Sequence, residues 1–368
     1  MATYPVIDQT LNKDIPKDIF IYHTKTSEPY SFYKKLKSNK EVPYAGFANE
    51  GNPGFVQKLS RFIRGNFFIP DARKGWNSYA IEKAKEIILK ENIQTVITTS
   101  PPHSTQLIGL ELKKEFNINW IADIRDPWTD IYYYDTMLHT SWAKKKDLFL
   151  EKKVIDSADK IVVVSNSIKE LFNQKSDLIH PDKIHIIPNG YDEDDFINVK
   201  AKNTGKVTLA YTGTITKDYP TYSLAKALKK SSINIQFTGK ADNTTKQNLN
   251  ELATFTNHVT HNESIQLLVN ASALLLIIPK IKNNKGILTG KLFEYIGANK
   301  PILCIGPTDG DAAKIIDTSK AGKTYDYDDL NGISKFIKQL KNGDKLHDNN
   351  NEKVYSRKNL TSLYLEII

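Results

Sequence analysis

The stretch TGKLFEYIGANKPIL, at residues 289–303, combines residue types that could bind an anion. Thr289, Gly290 and Lys291 stand at the start of an apolar helical pattern. Glu294 lies one turn into that pattern. The start of a helix offers unpaired backbone N–H groups and the positive end of the helix dipole, which suit a diphosphate. From residue types alone, Thr289 could equally be an ordinary N-cap.

A second loop with a cation precedes this stretch in the chain. It reads GTITKDYP, occupies residues 213–220, and begins with Gly213 and Thr214. Its only cation is Lys217. An isolated lysine is most often a solvated surface side chain. Together with Lys291, however, it could neutralise the charge of a diphosphate.

Polar side chains also follow two candidate strands in the first half of the chain. His103 comes after a Ser-Pro-Pro turn, while Arg125 and Asp126 end the segment IADIRD. Ligands of open parallel sheets bind at the carboxyl ends of the strands, so these positions are candidates for a site. A histidine that caps a helix and a structural Arg–Asp ion pair are the alternatives.

The elements that would carry these residues alternate between β-branched runs and helical patterns. This alternation is typical of parallel α/β units. Helical spacing of apolar residues predicts helices over residues 77–92, 104–116 and 291–298. The predicted strands cover residues 19–23, 95–100, 120–123, 160–165, 184–188, 207–213, 233–239, 273–278 and 301–306.

The chain is long enough for two domains of ordinary size, since 368 residues exceed what one hydrophobic core usually supports. The polar connector at residues 191–206 shows no apolar period. We therefore predict a first domain over residues 1–189 and a second over 190–350. A C-terminal helix over 351–368 is expected to pack back towards the first domain. Two doubly wound domains in tandem would place their strand ends on either side of a cleft.

Composition restricts the partners of the chain. A formal net charge of +9 predicts an anionic partner: nucleic acid, a phosphorylated small molecule or an anionic lipid surface. A single cysteine, Cys304, excludes an intramolecular disulfide, and no signal-peptide pattern opens the sequence. We therefore expect a cytoplasmic protein. The longest apolar run, at residues 272–278, is far shorter than the roughly 18 to 20 residues that span a bilayer.

Several kinds of site are not indicated by any motif. The sequence has no HExxH and no paired cysteines, so we expect no metal site. The acids at residues 192–195 fall in the polar connector, where a solvated loop is the simplest interpretation. Without a Gly-x-Gly-x-x-Gly or Walker loop, a nicotinamide enzyme and an ATPase are disfavoured.

The stretch KLSRFIRGNFFIPDARKGW, at residues 58–76, carries five cations and one acid among apolar side chains. It could be an ordinary helix and loop packed on a sheet. It could also dock peripherally on anionic lipid, at the inner face of the cytoplasmic membrane. Nucleic acid is disfavoured as its partner, because one short stretch comes without an RNA-binding fold.

Five segments together resemble glycosyltransferase family four. They are KIVVVSNSIKELF, KIHIIPNGYDEDDF, LAYTGTITKDYP, HVTHNESIQLLVNASALLLI and KLFEYIGANKPIL, in the order and spacing of that family. The resemblance implies the GT-B fold, which is α/β with two Rossmann-like domains facing a cleft. It also implies a retaining hexosyl transfer from a nucleoside diphosphate sugar, with no cofactor. SPPHSTQLIGLELKK followed by IADIRDPWTD is similar to the branch that builds bacterial surface polysaccharides, on glycan or polyprenyl-linked acceptors.

The resemblance also suggests roles for single residues. Glu294 matches the second glutamate of the family's E-x7-E motif, which accepts hydrogen bonds from the nucleotide ribose, whereas Gly286 stands where the first glutamate is expected. Lys217 is the expected contact of the diphosphate. The residues implied to bind the donor are Glu294, Gly213, Thr214, Thr289, Gly290, Lys291 and Val259, and those implied to act in catalysis are Lys217, Arg125, Asp126 and His103.

Two further expectations follow from the resemblance. Members of the family begin with a βαβ unit before a segment like YPVIDQT, which starts here at residue 4. A βαβ unit takes about 30 residues, so the first domain is predicted to lack its first unit. The alternatives to transfer are a nucleotide-sugar 2-epimerase on the same fold and a catalytically dead nucleotide-binding remnant. A two-domain ligand-binding protein of the periplasmic type is disfavoured, because no export signal is seen.

Overall fold

The computed structural model describes residues 15–27, 55–202, 205–231, 233–348 and 352–368. Contacts within the chain divide it into two units. Unit 1 comprises Met1–Val164, Ile168–Ile186 and Ile368, and unit 2 comprises Ser165–Ser167 and Ile187–Ile367. The division falls three residues before the predicted limit at Asn189, and the predicted domain limits stay predictions. No described helix has both the length and the apolarity to cross a bilayer.

Unit 1 contains a parallel sheet of four described strands in the order β1-β2-β3-β4. The strands are β1 (Thr95–Ser100), β2 (Asn119–Ile124), β3 (Lys160–Val163) and β4 (Ile184–Ile186). The helices of this half of the chain are α1 (Phe55–Phe67), α2 (Asn77–Glu91), α3 (Ser104–Glu115), α4 (Ser141–Ser157) and α5 (Asn166–Asn173).

The core of unit 1 explains why β2 and β3 are almost entirely apolar. Trp120 of β2 and Ile161 of β3 are fully buried and pack in one cluster with Val154 of α4 and Phe172 of α5. A smaller cluster joins α2 and α3 through residues such as Ile88. Helices cover the sheet, so the apolar runs of its central strands are removed from water. The carboxyl ends of β1 and β2 lie side by side, because Thr99 pairs with Asp123 in the register.

Unit 2 contains a parallel sheet of six strands in the order β10-β9-β8-β5-β6-β7. The strands are β5 (Thr208–Thr212), β6 (Asn234–Thr238), β7 (Ala253–Thr256), β8 (Ala273–Ile277), β9 (Ile302–Ile305) and β10 (Gly322–Tyr325). The remaining helices are α6 (Tyr222–Lys229), α7 (Asn243–Leu249), α8 (His261–Asn270), α9 (Gly290–Gly297), α10 (Asp311–Thr318), α11 (Leu330–Asn342) and α12 (Arg357–Leu365).

The sheet of unit 2 is buried on both faces. Along β5, Leu209 and Tyr211 join one apolar cluster, and Ala210 between them joins the other. This alternation follows from the period of two residues in a strand. The second cluster includes Phe293 and Ile296 of α9, so the apolar face of that helix fixes its start next to β5.

The α/β class and the two parallel sheets predicted from the sequence are confirmed. The strand predicted at residues 19–23 is wrong. These residues form no strand, and Phe20 is 87% exposed. The segment is held instead by its neighbours: Trp76 donates a hydrogen bond to Thr24, and Ser27 donates one to the Gly75 carbonyl. An apolar run forms a strand only where another strand pairs with it, and no described strand does so here. Strands β7 and β10 are additions to the predicted set.

Candidate functional site

The start of α9 presents polar groups that the protein itself leaves unused. Thr289 occupies the N-cap position, but its hydroxyl caps nothing. Its Oγ1 is buried and has no hydrogen-bond partner among the described residues. A Cβ built on Gly290 would meet no atom within 4 Å, so space lies open beside the first residue of the helix. The alternative role of Thr289 as a side-chain cap is not observed.

Lys291 is held at this helix start by the aromatic side chain of Tyr211. Its Nζ donates a hydrogen bond of 2.7 Å to the Tyr211 hydroxyl and lies 4.1 Å from the centre of that ring. The Tyr211 hydroxyl in turn donates to the Thr214 carbonyl at 2.8 Å. The chain of donors runs from α9 through β5 to the following loop, and therefore brings Lys291 and Thr214 to one place.

Gly213 completes this contact because no other residue fits. Its φ is +107°, which L side chains rarely adopt, and an added Cβ would lie 2.7 Å from Cε of Lys291. Gly239 lies against it in the same way, since a Cβ there would meet the Gly213 carbonyl oxygen. Gly213 therefore lets the lysine side chain cross directly over the backbone that follows β5.

The electrostatics of Lys291 are unusual for a lysine. Burial lowers its pKa from 10.5 to about 8, and the nearby Glu294 carboxylate offsets only part of that shift. A lysine whose ammonium form is destabilised by burial gains more from an anionic ligand than a solvated lysine does. The position therefore suits a bound anion.

Glu294 lies one turn further along α9, where it is half-buried. No described residue donates a hydrogen bond to its carboxylate. Burial raises its pKa, and the largest opposing effect comes from His261. A half-buried carboxylate without hydrogen bonds costs folding free energy, and a ligand that donates hydrogen bonds would offset that cost. The predicted role as an acceptor for ligand hydroxyls stays a prediction, and this geometry fits it.

His261 and Asp195 adjoin Glu294 and are not among the residues predicted from the sequence. His261 Nε2 lies 2.8 Å from Asp195 Oδ2, and both side chains are largely buried. Asp195 belongs to the acidic connector, for which the sequence suggested a solvated loop. His261 is the first residue of α8 and lies between Thr260 and Glu263, which form the capping box of this helix. The sequence signal that could have found His261 is this box, which fixes where α8 starts.

Two further residues predicted to contact the donor are Lys217 and Val259. Lys217 is exposed and forms no hydrogen bond or ion pair with any described residue. Val259 is half-buried in the loop before α8, two residues from His261. Both roles stay predictions.

Gly286 occupies a site where a longer side chain would be crowded. A Cβ on this residue would lie 3.0 Å from Cβ of Ser167, which belongs to the same unit. The neighbouring Lys285 forms an ion pair with Asp309. Asn284 fixes the turn by donating to the Pro279 carbonyl and to the Tyr327 hydroxyl. The packing thus suits the glycine that the sequence has in place of the expected glutamate.

In unit 1, the carboxyl ends of β1 and β2 carry the predicted charged residues. Arg125 Nε lies 2.8 Å from the nearer oxygen of Asp123, which is buried and also accepts a hydrogen bond from Thr99. The predicted alternative of a structural ion pair thus holds for Arg125, with Asp123 as its partner. Asp126 differs: it is half-buried, no described residue hydrogen bonds its carboxylate, and burial raises its pKa.

His103 stacks on an indole ring instead of capping its helix. Its ring centre lies 4.8 Å from that of Trp128, with an interplanar angle of 12°. Asp71, not His103, caps α3 by accepting hydrogen bonds from the backbone and hydroxyl of Ser104. Burial, followed by the charge of Lys175, lowers the pKa of His103 to about 3. The imidazole is therefore neutral at physiological pH. Its catalytic role stays a prediction.

A buried network fixes Trp128 below this histidine. The indole N–H donates to Asp147 at 2.9 Å, and the Tyr134 hydroxyl donates to the same carboxylate at 3.0 Å. Burial raises the pKa of Asp147 to about 6. Next to it, Glu151 is fully buried and pairs with Lys175 at 2.7 Å. These groups satisfy each other, so their arrangement positions the stacked rings and is not itself open to a ligand.

The described residues contain no group of three or more His, Cys, Asp or Glu side chains that could hold a metal ion. In unit 2, open backbone donors, a lysine and an unpaired carboxylate instead occupy the space around one helix start. This set could bind a negatively charged group beside one that carries hydroxyls. In unit 1, the Asp126 carboxylate follows β2 and accepts no hydrogen bond from a described residue. The arrangement fits binding and group transfer.

Solved structures similar to this chain have the GT-B fold of glycosyltransferases. Sucrose-phosphate synthase from Thermosynechococcus elongatus is 14% identical, with 80% of this chain and 79% of that chain covered and a TM-score of 0.57. An α,α-trehalose-phosphate synthase (UDP-forming) from Burkholderia xenovorans is 9% identical, with 80% and 77% covered and a TM-score of 0.55. Alr3699/HepE from Anabaena is 12% identical, with 77% and 80% covered and a TM-score of 0.54. At such identities the likeness shows the fold alone.

The comparison with protein families matches part of the sequence. The model of Glycosyltransferase Family 4 matches residues 42–195. This match, which covers less than half of the chain, confirms the resemblance to glycosyltransferase family four. None of the curated proteins matches it. Retention and the missing first βαβ unit stay predictions.

Proposed function

We propose that the chain transfers a hexosyl or related residue from a nucleoside diphosphate sugar to a glycan or lipid-linked acceptor, with retention. The observation that carries this proposal is the half-buried Glu294 carboxylate without a partner, one turn from the open start of α9. The structure of Alr3699/HepE contains UDP and glucose, which supports a nucleotide-sugar donor and makes UDP the first nucleotide to test.

Unit 2 would hold the donor through three kinds of contact. The backbone N–H groups at Gly290 and Lys291 would donate to the diphosphate, and the Lys291 ammonium would neutralise part of its charge. Lys217 would reach the same phosphates from the loop after β5. The Glu294 carboxylate would accept hydrogen bonds from the two ribose hydroxyls, which supply the donors that it lacks within the protein.

The reaction breaks the bond between the sugar C1 and the phosphate oxygen and forms one from C1 to the acceptor oxygen. The acceptor hydroxyl loses its proton to the departing phosphate, so no protein nucleophile is needed. Lys291, Lys217 and the helix start would stabilise the negative charge that grows on the leaving group. One preorganised donor of this kind contributes roughly 3 kcal/mol to transition-state stabilisation. That the reaction needs neither a cofactor nor a bound metal is part of the proposal.

Unit 1 would contribute Asp126, Arg125 and His103. Asp126 has a free carboxylate that could accept a hydrogen bond from a sugar hydroxyl. Arg125 is held by Asp123, which would fix its direction towards the transferred sugar or the acceptor. His103 is neutral and stacked, so its role would be to hydrogen bond and not to carry charge.

The biological setting in this proposal is bacterial surface polysaccharide synthesis in the cytoplasm, at the inner face of the membrane. The similarity of the SPPHST and IADIRDPW segments to that branch supports it. A polyprenyl-linked acceptor and membrane contact through residues 58–76 belong to the same proposal.

A thermal-shift panel of UDP, GDP, ADP and dTDP tests the donor site. A nucleotide at about 100 times its dissociation constant should add roughly 2.7 kcal/mol to the free energy of unfolding. Glu294→Gln should remove most of this shift, because it loses an acceptor for charged hydrogen bonds. Glu251→Gln, an exposed position in the same unit, is the matched control.

Two results would contradict the proposal. If none of the four nucleotides raised the melting temperature, the proposed donor site would be wrong. An assay with a nucleotide sugar alone that yields an epimerised sugar without an acceptor would replace transfer by 2-epimerisation.

A further inference from the structure

Helix α1 buries its polar side and exposes its apolar side, which is the reverse of an ordinary amphipathic helix. Its buried residues are polar or small: Arg61, Gly65 and Asn66. A Cβ on Gly65 would meet the Met137 carbonyl, and Asn66 donates to the Leu138 carbonyl. The helix is thus anchored in unit 1 through its polar side.

The opposite side of α1 consists of large apolar side chains. They recur at i, i+4, i+7, i+8 and i+12, and all are exposed, up to 81% for Phe55. Removing large apolar side chains from water is favourable, so an exposed stripe of five indicates a surface with a partner. The stripe is Phe55, Leu59, Phe62, Ile63 and Phe67.

Helix α4 lies next to α1 and adds aromatic and basic side chains. Asn66 of α1 accepts a hydrogen bond from the backbone of Thr140, which is the N-cap of α4. Trp142 is 62% exposed, and Phe149, two turns on, is exposed beside it. Lys146 lies 4.9 Å from the centre of the Trp142 ring, and Lys153 lies 5.1 Å from that of Phe149.

The buried and exposed sides of α4 carry different charges. Two of its three acids, Asp147 and Glu151, are buried, whereas its lysines are exposed. Lys144 and Lys152 pair with Asp135 and Asp156. The other lysines, at 145, 146 and 153, form no ion pair with a described residue. Together with Lys58 of α1, these lysines leave unpaired positive charge on the exposed sides of α1 and α4.

We propose that α1 and α4 form one surface that docks on an anionic phospholipid bilayer. The apolar stripe of α1 and the aromatic rings of α4 enter the interfacial region, and the unpaired lysines contact headgroup phosphates. Apolar and aromatic side chains flanked by lysines are the pattern of helices that lie in the membrane interface. Within the stretch 58–76, the proposed surface includes only residues of α1, because Ile69 and Ala72 are buried and Asp71 caps α3. It adds α4, which no sequence signal indicated.

Vesicle co-sedimentation tests the surface with the whole chain. Vesicles of phosphatidylcholine with about 30% phosphatidylglycerol should bind the protein, and binding should weaken from about 50 to about 300 mM salt. Changing Lys145, Lys146 and Lys153 to glutamine should lower the partition coefficient about 100-fold, since each lysine near such a surface contributes roughly fivefold. Phe62→Ser with Ile63→Ser should also abolish binding.

A matched control exists on unit 2. Lys226 lies over the exposed ring of Tyr222, and Lys229 and Lys230 are exposed beside it. Changing these three lysines to glutamine removes the same charge and should leave vesicle binding unchanged. Equal loss in both triple variants would show only a net-charge effect and would overturn the docking surface.

Other occupants of the apolar stripe give different results. If Phe62→Ser with Ile63→Ser converts a dimer to a monomer in sedimentation velocity, the stripe binds a second copy of the chain. If it lowers the melting temperature and wild type binds no vesicles, the chain itself covers the stripe. Either result overturns the proposal. The UDP-induced thermal shift should be the same in all these variants, so failure of docking is distinguishable from failure of the donor site.

Discussion

The two units differ in whether their charged side chains have partners within the protein. In unit 1, two buried carboxylates have charged partners: Asp123 pairs with Arg125, and Glu151 pairs with Lys175. In unit 2, Glu294 has no partner and Lys291 has only a tyrosine hydroxyl. Groups that neutralise each other stabilise the structure, whereas charged groups without a charged partner in the protein can bind a ligand. This difference supports the proposal that unit 2 binds the charged part of the ligand, while the paired groups of unit 1 hold its side chains in place.

The largest expected effect is on Lys291. Lys291→Met should weaken UDP binding by roughly 100-fold, since a hydrogen bond to a charged group contributes about 1.5 to 3 kcal/mol. Uridine, which lacks the diphosphate, should bind both proteins equally in calorimetry. Equal weakening of UDP and uridine would show that the lysine supports the fold of the site instead of the phosphates.

In unit 1, the residue to substitute is Asp126. Asp126→Asn should lower the rate of transfer or donor hydrolysis by about 10- to 30-fold through the loss of a charged acceptor, while the dissociation constant of UDP stays the same. Asp135→Asn, at an exposed carboxylate of the same unit, provides the control. A change in UDP affinity on Asp126→Asn would break the division of roles between the units.

Substitutions of two glycines of unit 2 distinguish an effect on stability from an effect on UDP binding. Gly213→Ala should reduce the free energy of unfolding by about 2 kcal/mol, because of the positive φ and the contact with Lys291. Gly290→Ala should leave the melting temperature unchanged, since its Cβ meets open space. It should still weaken UDP binding, because the methyl group would occupy the space proposed for a phosphate. Unchanged UDP affinity in Gly290→Ala would place the phosphate elsewhere.

The smallest effect is the pH dependence. The pKa of Lys291 is about 8, below its ordinary 10.5, so the free protein loses this charge as pH rises through 8. UDP affinity should be constant from pH 6.5 to about 7.5 and then fall by at most about tenfold per unit. Stability should move the other way between about pH 8 and 10.5, because the unfolded chain binds more protons there.

Two controls accompany that pH series. Lys291→Met should abolish both trends, whereas a trend that survives in this variant would have another origin. His103 of unit 1, with a pKa of about 3, should show no protonation change by NMR between pH 5 and 9.

Local patterns predicted much of unit 2. The apolar runs at residues 207–213 and 273–278 mark strands that are buried on both faces, so their composition alone is distinctive. The helix predicted over residues 291–298 corresponds to α9, which begins one residue earlier, at Gly290. By contrast, the run at residues 19–23 has strand composition but no described partner strand, and a partner cannot be read from a segment in isolation.

What the sequence by itself determined is the α/β class, the family resemblance, and the candidates Glu294 and Lys291, because each depends on spacing over a few residues. Only the tertiary structure decided what surrounds them. Tyr211 reaches Lys291 across 80 positions, and Asp195 reaches His261 across 66. It also decided which side of α1 faces outward, because periodicity fixes an apolar stripe on a helix but not the direction in which the stripe points.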